Sequence, residues 1–129
     1  MSDSVKTAVG TIVWRDLTVP NAGELKDFYR EVVGWRPVEH DMGDYADYDM
    51  LPPEGNGNES MAGICNARGS NANVPPQWLI YITVEDVDAS AQRCVELGGK
   101  VLDGPRQMGG SRFCVIQDPA GAMAALISG

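Results

Sequence analysis

The spacing of apolar positions changes along the chain, and it changes in the same order twice. Thr11 to Val19 is rich in β-formers and ends at Pro20, as a strand does. Leu25, Phe28, Tyr29 and Val32 then recur at i, i+3, i+4 and i+7, which predicts one apolar stripe on a helix. Asn21 stands at the cap position, and Glu24 three residues later completes the spacing of a capping box. Gly34 supplies the left-handed residue that stops such a helix. Strand-like stretches follow at about 35–40, 45–51 and 59–66, with turn formers concentrated between Pro52 and Asn58.

Downstream the order returns. Trp78 to Val84 predicts a strand, Asp86 a cap, and Val87, Ala91, Cys94 and Val95 the apolar stripe of a helix ended by Gly98-Gly99. Strands are expected at about 100–105, 111–117 and 121–128, the last two joined by a turn at Asp118-Pro119-Ala120-Gly121. At one constant offset Thr18-Val19-Pro20-Asn21 falls on Thr83-Val84-Glu85-Asp86, Glu31 on Glu96 and Gly34 on Gly99. The pattern predicts an α+β fold of two βαβββ modules, about 8–66 and 77–129, joined by a connector at 67–76 within a single domain 1–129. Each module has only one helix to cover its sheet, so the two are expected to pack together or against a partner chain.

Composition changes this picture at one place. With 43% hydrophobic and 22% charged residues, the 129-residue chain is globular and not disordered. Its net charge of −8 is unevenly spread: Glu39, Asp41, Asp44, Asp47, Asp49, Glu54 and Glu59 lie in one segment without Lys or Arg. That segment carries all but one unit of the total. An acidic balance argues against a nucleic acid or an anionic membrane as partner. Met1 to Gly10 lacks the apolar core of a secretory signal, and the apolar run Ala122 to Ile127 is too short to span a bilayer. Cys65, Cys94 and Cys114 have no C-x-x-C spacing, so neither a disulfide framework nor a zinc knuckle is expected. A soluble, reduced, cytoplasmic protein is the expectation.

The words Phe28-Tyr29-Arg30-Glu31-Val32-Val33-Gly34-Trp35, Val84-Glu85-Asp86-Val87-Asp88-Ala89 and Gly98-Gly99-Lys100-Val101 point to a known family. With Gly104-Pro105 and Asp118-Pro119-Ala120-Gly121-Ala122, they resemble the vicinal-oxygen-chelate superfamily over roughly residues 10–128. That superfamily includes glyoxalase I, bleomycin-resistance proteins, fosfomycin-resistance enzymes, extradiol dioxygenases and methylmalonyl-CoA epimerase. The resemblance implies the fold, a cleft and a homodimer, but no single reaction. Its enzymes hold a divalent metal with His and Glu from the first and last strands of each module. The corresponding positions here are Trp14, Gly63, Leu79 and Ala125, none of which can bind a metal through its side chain. Neighbouring positions offer only Asp16 on the first strand and Gln77 on the fifth. No metal and no cofactor are therefore expected.

Alternation along the strands, in the register of the resemblance, selects a candidate ligand-binding set: Trp14, Asp16, Met61, Cys65, Tyr81 and Met123. Such an aromatic, sulfur-lined groove with one carboxylate suits a small, partly apolar molecule. Trp14 is equally compatible with packing at a dimer interface, and Met61 and Met123 read more readily as packing residues. Cys65 has no basic neighbour in sequence and reads as a small hydrophobe. His40, the only histidine, reads as a surface residue in the acidic segment. Asp47 and Asp49 share one strand face, expected to meet solvent; turned to the cleft, they would favour a cationic ligand. Arg15, Arg106 and Arg112 give no sufficient basis for an anion site. The leading expectation is a metal-free binding protein. The alternatives are a lyase, isomerase or oxygenase, with Asp16 and His40 as non-standard metal ligands or Asp16 in metal-free acid–base chemistry, and an acidic module that docks a basic protein.

Overall fold

The chain is described by a computed structural model covering residues 7–53 and 57–129. Glu54 of the acidic segment and the centre of the expected Pro52–Asn58 turn lie outside the described residues, as does the start of the chain through Lys6. Two compact units form, one of residues 14–78 and one of residues 79–129 with the described residues before Trp14.

In the first half the elements are β1 (Ile12–Val19), α1 (Ala22–Val33), β2 (Arg36–Asp41), β3 (Ala46–Leu51) and β4 (Ala62–Asn66). The strands are ordered β2-β3-β4-β1. β1 pairs with β4 in parallel, and β2–β3 and β3–β4 are antiparallel. The second half repeats this with β5 (Trp78–Thr83), α2 (Val87–Glu96), β6 (Lys100–Met108), β7 (Ser111–Gln117) and β8 (Met123–Ser128). Its order is β5-β8-β7-β6, with β5 and β8 parallel. The architecture is α+β, two βαβββ modules, as the periodicity predicts. The connector holds a single 3-10 turn, Gly69–Asn71, and buries only Val74.

Each helix covers one face of its own sheet. Under α1, Leu17, Val19, Ala22, Met50 and Ile64 are buried, with Leu25, Tyr29, Trp35 and Tyr48 packed against them. Under α2 the equivalent set is Val87, Ala91, Cys114 and Leu126. The predicted helix stripes are only half buried. Leu25 and Tyr29 pack inward, whereas Phe28 and Val32 are exposed, as is Val95 on α2. The apolar stripe of the twelve-residue α1 is thus wider than the strip its own sheet covers.

The caps differ between the halves. Asp86 accepts a hydrogen bond from the Ala89 backbone N–H at 3.1 Å, as an N-cap should. Asn21 makes no such bond. Its side-chain amide instead donates to Glu24 at 3.5 Å, so the expected capping box does not form. Gly34 ends α1 in the left-handed region, at φ +90°. In α2 that role falls to Gly98, while Gly99 is required for space: a Cβ there would lie 2.5 Å from the Cys94 thiol and 2.8 Å from the Gln117 carbonyl. β6 extends beyond the expected strand to Met108. As the edge strand of its half it tolerates Pro105, next to irregular pairing around Asp103.

Candidate functional site

Strand register decides which side chains of the first half meet. Asp16 pairs with Gly63, Gly63 with Asp49, and Asp49 with Val38, so these four form one row across β1, β4, β3 and β2. Residues paired across a ladder project to the same face. Leu17, Ile64 and Tyr48 form the adjacent row and point the other way, to the core beneath α1. The acidic row therefore lies on the face that the helix leaves uncovered. Two residues along β3, Asp47 pairs with His40 on the same side.

This face is concave. A pocket of about 240 Å³ is lined on the β1 and β4 side by Trp14, Asp16, Gly63 and Cys65. Asp47, Asp49, His40 and Met42 line the opposite side, together with Tyr48. The ring of Tyr48 belongs to the helix side, where the Lys26 ammonium sits 5.1 Å from its centre. Among the described residues, no lysine or arginine lines the pocket.

Its floor is built around a missing side chain. The Asp16 carboxylate lies over Gly63, so close that any Cβ at that position would overlap Asp16 Oδ1. The Trp14 ring flanks the same spot, and its Nε1–H donates to Asp16 Oδ1 at 2.6 Å. Gly63 has no positive φ, so glycine is needed here for room and not for backbone conformation. Asp47 is also held, since its Oδ1 accepts from the Asn66 backbone N–H at 2.9 Å and from the Asn66 amide at 3.0 Å. Asp49 is half-buried and has no hydrogen bond or ion pair among the described residues. The Cys65 thiol is pushed far above its ordinary range, mainly by burial, with Asp16, Asp47 and Asp49 adding to the effect. It stays protonated at neutral pH and is a poor nucleophile.

Three of the expected binding residues, Trp14, Asp16 and Cys65, thus line one pocket. Met61 precedes β4 outside its lining and gives its carbonyl to the Arg15 guanidinium at 2.6 Å. Tyr81 and Met123 belong to the second half. Tyr81 is buried, with its ring 5.7 Å from that of Phe113, and Met123 is half-buried opposite Gln117. Asp47 and Asp49, expected to meet open solvent, line the pocket instead. His40 is solvent-exposed as expected, and it too reaches the pocket lining. Alternation placed both acids on one face. The helix side was then decided by Tyr48 and Met50, whose apolar bulk outcompetes two carboxylates for burial. The acidic segment is not one surface, because Glu39, Asp41, Asp44 and Glu59 are exposed.

The three arginines considered as anion partners are engaged. Arg112 makes a two-pronged contact with Asp88 at 2.9 and 3.0 Å, which lowers the Asp88 pKa and raises that of Arg112. Arg106 pairs with Asp103 at 3.0 Å and stacks over Phe113. The positions marked for metal binding carry Trp14, Gly63, Leu79 and Ala125, which supply no donor side chain. Among the described residues, no group of three or more His, Cys, Asp or Glu is placed to hold a metal ion. This donor set does not fit the divalent metal that the resemblance implies. Among those residues, too, no helix is long and apolar enough to cross a membrane.

Residues 9–126 match the sequence family described as the Glyoxalase/Bleomycin resistance protein/Dioxygenase superfamily. The chain is 33% identical over 120 residues to a putative glyoxylase, CFP32, of Mycobacterium tuberculosis, covering 91% of this chain and 45% of that protein. It is 31% identical over 113 residues to the anthracycline biosynthesis protein DnrV of Streptomyces peucetius, covering 88% of this chain and 39% of that one. The chain thus spans less than half the length of these relatives. Among solved structures, a variant Streptomyces coelicolor methylmalonyl-CoA epimerase in complex with 2-nitronate-propionyl-CoA superposes with a TM-score of 0.53 at 20% identity. That match covers 94% of this chain and 98% of the epimerase. Methylmalonyl-CoA epimerase from Mycobacterium tuberculosis gives 0.51 at 17% identity, over 97% and 92%. At these identities the structural likeness concerns the fold.

Proposed function

The chain belongs to the Glyoxalase/Bleomycin resistance protein/Dioxygenase superfamily, and on that premise we propose that it is a metal-independent binder of a small, partly apolar molecule. The ligand sits in the pocket of the first half, on Trp14, above Asp16 and Gly63, with Cys65 at its side. One observation carries this reading: the metal-ligand position on the fourth strand is Gly63, and the space above it holds the Asp16 carboxylate and the Trp14 ring. That leaves an anionic, aromatic surface where the resemblance would put a metal donor. The volume of about 240 Å³ lies below the usual range for drug-sized ligands, so one ring with a short substituent is the scale of what fits.

In this reading the protein is a cytoplasmic homodimer whose two modules form one domain. Metal analysis of the purified protein by X-ray fluorescence, joined to a ligand screen read by Trp14 fluorescence, tests it. The expected result is no stoichiometric transition metal, together with ligands whose signal disappears in Trp14→Phe. A stoichiometric metal bound at this face would overturn it. A second reading, acid–base catalysis without metal, is favoured by the same carboxylates facing the pocket. It fails if Asp16→Asn leaves turnover of a cognate substrate unchanged.

A further inference from the structure

The three carboxylates of the pocket are not equivalent, and the difference bears on ligand class. Asp16 receives the Trp14 indole N–H, and Asp47 receives two bonds from Asn66. Both are thereby fixed in position. Asp49 sits across Gly63 from Asp16 in the same row, half-buried, with no hydrogen bond or ion pair among the described residues. Among the described residues, no lysine or arginine lines the cavity. The elevated thiol pKa of Cys65, to which all three carboxylates contribute, is consistent with a local field that disfavours any further negative charge.

A half-buried carboxylate without a partner pays a desolvation cost that a cation entering the pocket would recover. The geometry limits the shape of that cation. Trp14 offers a flat aromatic wall fixed by its bond to Asp16, Met42 and Cys65 add apolar and polarisable contact, and Gly63 lets the Asp16 carboxylate lie on the floor beside Asp49. A cation against an aromatic face gains a further electrostatic attraction. We propose that the pocket selects a small organic monocation, an amidinium, guanidinium or ammonium group carried on a flat apolar body, with Asp49 as its ion-pair partner. This deepens the binding reading above and rests on it.

Three isosteric probes test the class: benzamidinium, benzamide and benzoate, titrated against tryptophan fluorescence, with Trp14→Phe identifying the signal from the pocket. Benzamidinium is expected to bind about tenfold or more tightly than benzamide, the scale of one charge-assisted hydrogen bond, and benzoate not measurably. Asp49→Asn, close to isosteric, is expected to bring benzamidinium down to the level of benzamide while leaving benzamide unchanged. Equal binding of amidinium and amide, or a ratio untouched by Asp49→Asn, overturns the cation assignment and leaves the binding reading standing. If none of the three gives a signal sensitive to Trp14→Phe, the binding reading itself falls, and the assignment with it.

Discussion

The two halves carry the same row of the same sheet with opposite chemistry. In the first half the row runs Asp16, Gly63, Asp49, Val38 across β1, β4, β3 and β2. In the second it runs Tyr81, Ala125, Val115, Asp103 across β5, β8, β7 and β6. Tyr81, Ala125 and Val115 are buried, and Tyr81 packs on Phe113. The single acid of that row, Asp103, is ion-paired with Arg106. The first row instead has Gly63 with the Asp16 carboxylate lying over it, Asp49 on its other side and, among the described residues, no basic residue lining the pocket. A duplicated scaffold can thus commit one copy to packing and leave the other to present charge in a cavity. The fold is indifferent to which, because the helix-side core is apolar in both copies.

Exchanging residues between the rows is the strongest way to break this contrast. Val115→Asp puts an unpaired carboxylate at a fully buried site and is expected to cost roughly 3–5 kcal/mol, read as a large loss of midpoint in urea unfolding. The reciprocal Asp49→Val removes an unpartnered charge beside two others and is expected to leave the midpoint unchanged or raised. Equal losses from both would show that the halves are not chemically distinct.

Gly63→Ala comes next. Its methyl group collides with the Asp16 carboxylate, which must leave Trp14, at an expected cost of about 1–3 kcal/mol. A shift in tryptophan emission and weaker benzamidinium binding should accompany it. An unchanged spectrum would mean that Asp16 is not lodged over Gly63.

The thiols sharpen the comparison by a smaller effect. Cys65 is raised by burial and by three carboxylates, whereas Cys114 is raised to about 11, chiefly by burial. Both should resist iodoacetamide at pH 8 until the protein unfolds. The unfolded thiol ionises near 9.0 and the folded Cys114 only near 11, so the unfolded state loses its proton first. The contribution of Cys114 to stability is therefore present below pH 9 and declines as pH rises from 9 toward 11. Cys114→Ser should flatten that decline.

The smallest effect is expected at the exposed Asp88–Arg112 pair. Asp88→Asn should change the thermal midpoint little, and any change should shrink in high salt.

Much of this was legible in the chain. The switch between period 3.6 and period 2, Asp86 as a cap, Gly34 as a helix stop and the offset between Thr18 and Thr83 sufficed for two βαβββ modules. Strand parity, in the register of the resemblance, put Trp14, Asp16 and Cys65 in a candidate set of six, of which Met61, Tyr81 and Met123 lie outside the pocket lining. Parity could not say whether Asp47 and Asp49 would meet open water or line a cavity, since alternation names two faces and not their neighbours. Nor did spacing predict that Asn21 would fail as a side-chain cap, because a capping box depends on a backbone angle that the residue types permit but do not impose.

What the sequence determined by itself is the order of elements, the family and the lack of donor side chains at four positions, all properties of residue type and spacing. What only the tertiary structure decided is the contact across strands: Asp16 resting over Gly63, Asp47 bound by Asn66, and Asp49 without a hydrogen bond or ion pair among the described residues. Those depend on lateral register between β1, β4 and β3, strands that meet only when the chain folds back on itself. Local propensity carries no information about such pairing, which is settled when the apolar rows seek the helix and carry the polar rows to the other side.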